Sequence, residues 1–150
     1  MRVLAPASKV HAAAAIDTIV NDQAPGYLRI DKSDSGVVRD DDNEFIIGKA
    51  RSYSDGDDVL IIGVGGILAE CIAAAETLER KGVSAGVLEM PSIKPLDEEA
   101  IITVASNYKL FVTVEEHSRI GGLGGAVAET LSVNAVGKRL IRIGLDDVYS

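Results

Sequence analysis

The sequence has no tryptophan, one cysteine, four prolines and only 4% aromatic residues in 150 positions. A single cysteine excludes an intrachain disulfide, so the fold must be held without covalent staples. Cys71 sits in an apolar helical stretch with no basic neighbour in sequence. It is expected to be a small buried hydrophobe rather than a nucleophile. A lone thiol of this kind agrees with a cytoplasmic chain. Basic residues are outnumbered by acidic ones, 15 to 23, for a net charge of -8. That balance argues against nucleic acid and anionic membranes as partners, because phosphate-rich surfaces require a basic face. A local basic site for a small phosphorylated ligand stays open. No run approaches the roughly 18 apolar residues of a membrane helix, and no signal-peptide core develops after Met1-Arg2. Internal repeats and low-complexity segments are absent. No Cys/His spacing suits zinc, and no nucleophile–base–acid trio stands out.

What is present is an apolar interior of small aliphatic residues. Hydrophobic residues make up 47% of the chain, enough for a real core at this length. Arg2–Ala5 reads as a short strand stopped by Pro6. Ser8 is placed to cap a helix running to about Val20. Tyr27–Ile30 reads as a second strand. Residues 31–42 are polar, ending in Asp40-Asp41-Asp42, and read as an exposed connection and domain boundary, dividing 1–40 from 41–150. Beyond it, Phe45–Ile47 is expected to be a strand. Val59–Val64 is a run of strand length, as buried parallel strands are. A helix from about Ile67 to Lys81 follows, ended by Gly82, then strands at Val83–Met90, Leu110–Val114 and Leu140–Ile143. Pro91–Pro95 reads as a loop. Helices are expected after Asp97 and from Gly121–Gly125 to about Leu131. Strands alternating with helices predict a three-layer α/β/α fold around a mainly parallel sheet of four or five strands.

Two glycine-rich helix starts are candidate sites. Gly63-Val-Gly65-Gly66 follows a buried strand, as a dinucleotide fingerprint would, with Glu89 near the end of the next strand as a ribose-binding acid. Leu68 occupies the position where that fingerprint needs a small residue. The safer expectation is an anion held by backbone N–H groups. Gly121-Gly122-Leu123-Gly124-Gly125 is the second start, and follows Glu115-Glu116-His117 at a strand's C-terminal end. His117 is a candidate for acid–base chemistry, although a lone histidine beside two carboxylates is more often a hydrogen-bonded structural residue. The other histidine, His11, stands in an alanine-rich helix.

An ordered set of motifs carries a family resemblance: Phe45-Ile-Ile-Gly-Lys-Ala50, Lys94-Pro-Leu-Asp97, Thr113-Val-Glu-Glu-His117, Gly121-Gly-Leu-Gly124 with Ala126-Val-Ala-Glu129, and Arg142-Ile-Gly-Leu-Asp146. Together they resemble the C-terminal domain of the transketolase family. That family also contains 1-deoxy-D-xylulose-5-phosphate synthase and the beta subunits of 2-oxo-acid dehydrogenases. The first 40 residues resemble the end of its pyrimidine-binding domain, but the usual Pro-Ala-Asp-x-x-Glu has Ser8 and His11 in place of Asp and Glu. The resemblance implies a portion of an enzyme that transfers a two-carbon ketol unit between sugar phosphates. Thiamine diphosphate and a divalent metal, Mg, would be bound by domains upstream of this chain, with the catalytic glutamate, so no catalytic residue is expected here. Lys32 falls where the family carries an arginine that grips the substrate phosphate. Glu115, Glu116, His117, Gly121, Gly122 and Gly124 are then a possible anion or interface site. Expected partners are a thiamine-binding N-terminal portion or subunit and a second copy, as in a dimer. The chain is expected to stop short of the family's usual C-terminal end. The alternatives are the synthase, a dehydrogenase beta subunit with this domain as a docking surface, and a free-standing anion- or nucleotide-binding module.

Overall fold

Short strands separated by capped helices set the architecture. A computed structural model describes residues 1–32, 36, 37 and 39–147. In chain order the strands are β1 (Arg2–Leu4), β2 (Gly26–Leu28), β3 (Arg51–Ser54), β4 (Val59–Val64), β5 (Ala85–Glu89), β6 (Ser92–Lys94), β7 (Leu110–Ser118) and β8 (Arg139–Leu145). The helices are α1 (Lys9–Asn21), α2 (Leu68–Glu79), α3 (Glu98–Val104) and α4 (Leu123–Val133). Local chemistry explains where helices begin. The Ser8 side chain accepts the His11 N–H at α1, and the Asp97 carboxylate accepts the Ala100 N–H at α3, as N-cap residues do. Glu98 and Glu99 add favourable charge to the first turn of α3.

A five-stranded sheet in the order β3-β5-β4-β7-β8 forms the centre. β4 pairs in parallel with β5 and β7, and β7 with β8, while β3 runs antiparallel to β5. Helices cover both faces, so the α/β expectation of a mainly parallel sheet holds. Because side chains alternate along a strand, Leu60, Ile62 and Val64 pack with Ile101 of α3 and Leu123 and Val127 of α4. Ile61 and Val87 point the other way, against Leu68, Cys71 and Ala75 of α2. Each such aliphatic side chain contributes about 1.5–3 kcal/mol on full burial. α2 lies close to β4 because Gly63 has no side chain; a Cβ there would stand 2.8 Å from Cys71 Sγ.

A second sheet, β2-β1-β6, joins the N-terminal β-α-β unit to the rest. β1 runs parallel to β2 and antiparallel to β6. Leu4, Ala14, Ala15 and Phe45 form its core. Pro91–Pro95 therefore contains a strand where its composition predicts a loop. Phe45–Ile47 is not a strand: Phe45 is buried in a loop and stacks on His11, ring centroids 4.6 Å apart. The strand in that region is β3, six residues later, a polar edge strand whose Arg-Ser-Tyr-Ser sequence has no apolar alternation to reveal it. β7 continues through Ser118, four residues past its apolar stretch. The expected polar connection lies partly outside the described residues, as does Ser150. Its described part is less exposed than its composition suggests, since Asp42 is 1% exposed.

Candidate functional site

β4 leads through α2 to β5 on one side, whereas β7 pairs on its other side. The carboxyl ends of β4 and β7 thus flank the switch point of the sheet, the crevice in which open α/β folds place ligands. Val64, Glu115, His117, Gly121 and Gly122 line this crevice, and Tyr27 and Arg29 of the N-terminal unit close over it.

Glu115 is 4% exposed and points into the start of α4. Its Oε2 accepts the Leu123 N–H at 2.7 Å and its Oε1 the Gly124 N–H at 2.9 Å. These are among the N–H groups that a helix start leaves without intrahelical partners, and a carboxylate there also complements the helix dipole. The glycines make room. A Cβ at Gly122 would overlap the Glu115 carboxylate, and one at Gly124 would stand 2.8 Å from Arg142 Cδ and 2.9 Å from Thr113 Oγ1. The anion at this helix start is supplied by the chain itself.

Consecutive strand residues face opposite ways, so the Glu-Glu-His element is split. Glu116 faces the N-terminal unit: Arg29 Nη2 donates to its carbonyl oxygen at 2.7 Å and lies 3.6 Å from Asp31 Oδ2. A hydrogen bond to Asp31 raises the Glu116 carboxyl above its usual range, burial and the Asp31 charge add to this, and Arg29 opposes it. His117 is exposed, with Nδ1 3.3 Å from the Ser118 carbonyl oxygen. Gly121 is exposed and turns the chain with φ 78°. Lys32 is exposed on a separate cleft at the start of α1, beside Ser8, Lys9, Ala12 and Asp31.

The first glycine-rich start has a structural task as well. Gly65, at φ 71°, makes the turn from β4 into a single 3-10 turn, Gly65–Ile67, ahead of α2. Glu89 cannot serve as a ribose-binding acid, because it is fully buried. Its Oε2 accepts from the Tyr53 hydroxyl at 3.0 Å and lies 3.4 Å from Arg51 Nη1.

Glu89 belongs to a polar cluster that sequence reasoning missed. Arg51 links Glu89, His11 and the acid run: Nη1 lies 3.0 Å from His11 Nδ1, and Nη2 lies 2.5 Å from Asp41 Oδ1 and 2.7 Å from Asp42 Oδ1. Asp42 Oδ2 also accepts from the Ser8 hydroxyl and the Arg39 N–H, both at 3.0 Å. The acid run is exposed at Asp40 and Asp41, as its composition suggests, but its last member, Asp42, is buried. Asp41 pairs with both Arg39 and Arg51, and Asp42 with Arg51. The signal that pointed here was the pair of departures at Ser8 and His11, which both contact this cluster. Among the described residues, no group of three or more His, Cys, Asp or Glu side chains is placed to hold a metal ion, and no helix is long and apolar enough to cross a membrane.

Residues 48–150 match the family model described as transketolase, C-terminal domain. The chain belongs to the transketolase C-terminal domain family. It is 42% identical to a putative transketolase C-terminal section from Methanocaldococcus jannaschii, over 99% of this chain and 47% of that protein. It is 40% identical to one of the subunits of apulose-4-phosphate transketolase from Phocaeicola vulgatus, over 99% of this chain and 48% of that protein. A 1-deoxy-D-xylulose-5-phosphate synthase from Halothermothrix orenii is 36% identical over 98% of this chain and 24% of that protein. Among solved structures, a split gene transketolase described as an inactive beta4 tetramer superposes with a TM-score of 0.93 at 36% identity, over 99% of this chain and 49% of that one. The transketolase-domain chain thus spans about half the length of its split transketolase relatives.

Proposed function

We propose that this chain is the C-terminal portion of a thiamine-diphosphate-dependent transketolase that works with a thiamine-binding N-terminal portion or subunit. The assembly transfers a two-carbon ketol unit between sugar phosphates in the cytoplasm, and it forms dimer contacts through a second copy. The observation that carries this reading is the match over nearly the whole chain to transketolase C-terminal sections and subunits, about half of whose length it spans. Thiamine diphosphate and Mg supply the carbanion chemistry in such enzymes. The donor sets of this chain do not fit that pair. The described residues offer no metal-binding group, and Glu115 already fills the start of α4. The cofactor is assigned to the remaining portion of the assembly.

Within the chain, Lys32 is the residue we assign to the substrate phosphate, from its exposed place beside the start of α1. Lysine offers a point charge rather than the bidentate fork of arginine. The Glu115–Gly124 element is assigned to holding the crevice shut as part of an internal interface. Mixing the chain with a candidate N-terminal partner and assaying ketol transfer tests the reading. Activity should appear in the mixture only. Lys32→Ala should then raise KM for the sugar phosphate roughly tenfold to hundredfold with kcat kept, the worth of one hydrogen bond to a charged group. Synthase activity from pyruvate and a triose phosphate, without ketol transfer, would select the synthase reading instead. No activity with either partner type would sink both.

A further inference from the structure

A surface helix normally shows charged and polar side chains to solvent. α1 departs from this. Its exposed positions include only two charges, Lys9 and Asp17, beside Val10, Ala13, Ile16 and Val20. Val10, Ile16 and Val20 are 46%, 45% and 75% exposed. His11, Ala14 and Ala15 form the buried side of the same helix. At 3.6 residues per turn the exposed positions fall within one arc of about 140°, with Ala13 near its midline. The apolar surface continues on both flanks of the helix. Ile30 lines a cleft with Ala12, Ala13 and Ile16 on one flank, and Ile46 lines a second with Asp17 and Asn21 on the other. Both isoleucines are exposed. A continuous apolar patch with a polar rim marks an interaction surface.

The order of residues along α1 selects the occupant. Lys9 stands four residues before Ala13 and Asp17 four after it. Val10 stands three before and Ile16 three after. A two-fold axis at Ala13, with a second α1 laid antiparallel, brings Lys9 level with Asp17 of the second copy, Val10 level with Ile16, and Ala13 against itself. Each contact then occurs twice, as an isologous interface requires. A small side chain at the axis allows the two helices to approach closely. A parallel pairing would instead set Lys9 against Lys9 and Asp17 against Asp17, which is unfavourable.

We propose that the exposed face of α1 is a homotypic docking surface, on which a second copy of this chain seats its own α1 antiparallel about Ala13. This rests on the reading that the assembly contains two copies, and it names the surface through which they meet. Burial of Val10, Ile16 and Val20 supplies the affinity. The Lys9–Asp17 pairs lie at the rim, where they set direction and register more than strength. The cleft that holds Lys32 shares Lys9, Ala13 and Ile16 with this face, so the second copy forms one of its walls.

Cysteine linking in the 150-residue chain tests the geometry. The native thiol, Cys71, is buried, so an introduced cysteine reports alone. A disulfide needs Cα atoms within about 7 Å, and only a residue at the two-fold axis meets its own copy that closely. Mild oxidation should therefore link Ala13→Cys into a dimer and leave Val10→Cys and Asn21→Cys unlinked. Sedimentation equilibrium across the micromolar range measures the strength. Ala13→Glu sets two like charges on the axis and should weaken the dimer about hundredfold. Lys9→Asp should weaken it several-fold, and Lys9→Asp combined with Asp17→Lys should recover it. Ile143→Glu, in the exposed apolar face of β8, should leave it unchanged. A monomer at every concentration would overturn the proposal, including one that associates only when an N-terminal portion is added. So would equal linking at all three cysteine positions, or a dimer lost in Ile143→Glu and kept in Ala13→Glu. These readouts are of mass rather than ketol transfer, so a failed surface and an inactive assembly are separate results.

Discussion

Replacing Glu115 with alanine removes one carboxylate and leaves two backbone N–H groups, Leu123 and Gly124, without their acceptor at a buried helix start. Leu123 is 1% exposed and seals the adjoining core, so water can replace the carboxylate only by entering from the crevice. A hydrogen bond to a charged group is worth about 1.5–3 kcal/mol, and a buried unsatisfied donor costs about 1–3 kcal/mol. Partial rehydration of the two N–H groups gives an expected loss of about 2–4 kcal/mol. For a chain of this length that is a fall in Tm of roughly 5–15 °C. Glu115→Gln keeps one oxygen and should cost about half as much. The mechanism also predicts non-additivity. Gly122→Ala displaces the carboxylate by overlap and also sets its Cβ 2.8 Å from the Ser118 carbonyl oxygen, so only the first part of its cost should vanish once Glu115 is alanine, with a coupling of about 1–2 kcal/mol in a double-mutant cycle. Urea unfolding of the four proteins measures this, and exchange at the Leu123 and Gly124 amides localises it. A loss below about 1 kcal/mol for Glu115→Ala, or strict additivity with Gly122→Ala, would refute the assignment of Glu115 as the internal anion of α4.

Arg51→Met should cost about 3–5 kcal/mol in urea unfolding, because it strands the buried Glu89 carboxylate, and Glu89→Gln in the same chain should restore part of the loss. Hydrogen bonds from Arg39 and Arg51 lower the Asp41 carboxyl to about 2. At Asp42 burial pulls upward, but hydrogen bonds from the Arg39 N–H, Arg51 and Ser8 outweigh it and leave the carboxyl lowered. A lowered carboxyl contributes stability above its unfolded pKa that is lost as pH falls through the folded value. The melting temperature should therefore drop between about pH 4 and pH 2, less steeply in Asp42→Asn than in the wild type. Burial first, and the nearby Glu70 second, push the Cys71 thiol up to about 12. Native protein at pH 8 should resist thiol alkylation and react fully in urea, and native reactivity at the rate of a free thiol would contradict the packing of α2 on β4.

Much of the fold is legible wherever local chemistry and burial agree. Val59–Val64 is apolar because both faces of β4 are covered. Ser8 and Asp97 mark helix starts through contacts within three residues. The glycine-rich segments mark helix starts too, but their function could not be read locally. Gly122 is small because a carboxylate from β7 lies against it, and Gly63 because Cys71 does. β3 and β6 escaped notice because their strand state comes from pairing with β5 and β1 rather than from their own composition. The strand reading stopped at Val114 for the same reason, short of the polar Glu115–Ser118. These side chains are polar because each meets a different partner, on α4, on the N-terminal unit or at the surface. His11 and the acid run looked unrelated, being 30 residues apart, until the fold placed Arg51 between them.

The sequence by itself determined the layer architecture, the helix starts and the family, because these rest on periodicity, capping and the order of short motifs, all local properties of the chain. Only the tertiary structure decided what the glycine-rich switch point does. An anion site and an internally capped helix have the same sequence signature, free N–H groups after glycines. They differ in whether a carboxylate from elsewhere in the chain arrives to fill them. Here Glu115 arrives from β7 at the start of α4, and such long-range placement is set by sheet pairing and core packing rather than by the residues of the site.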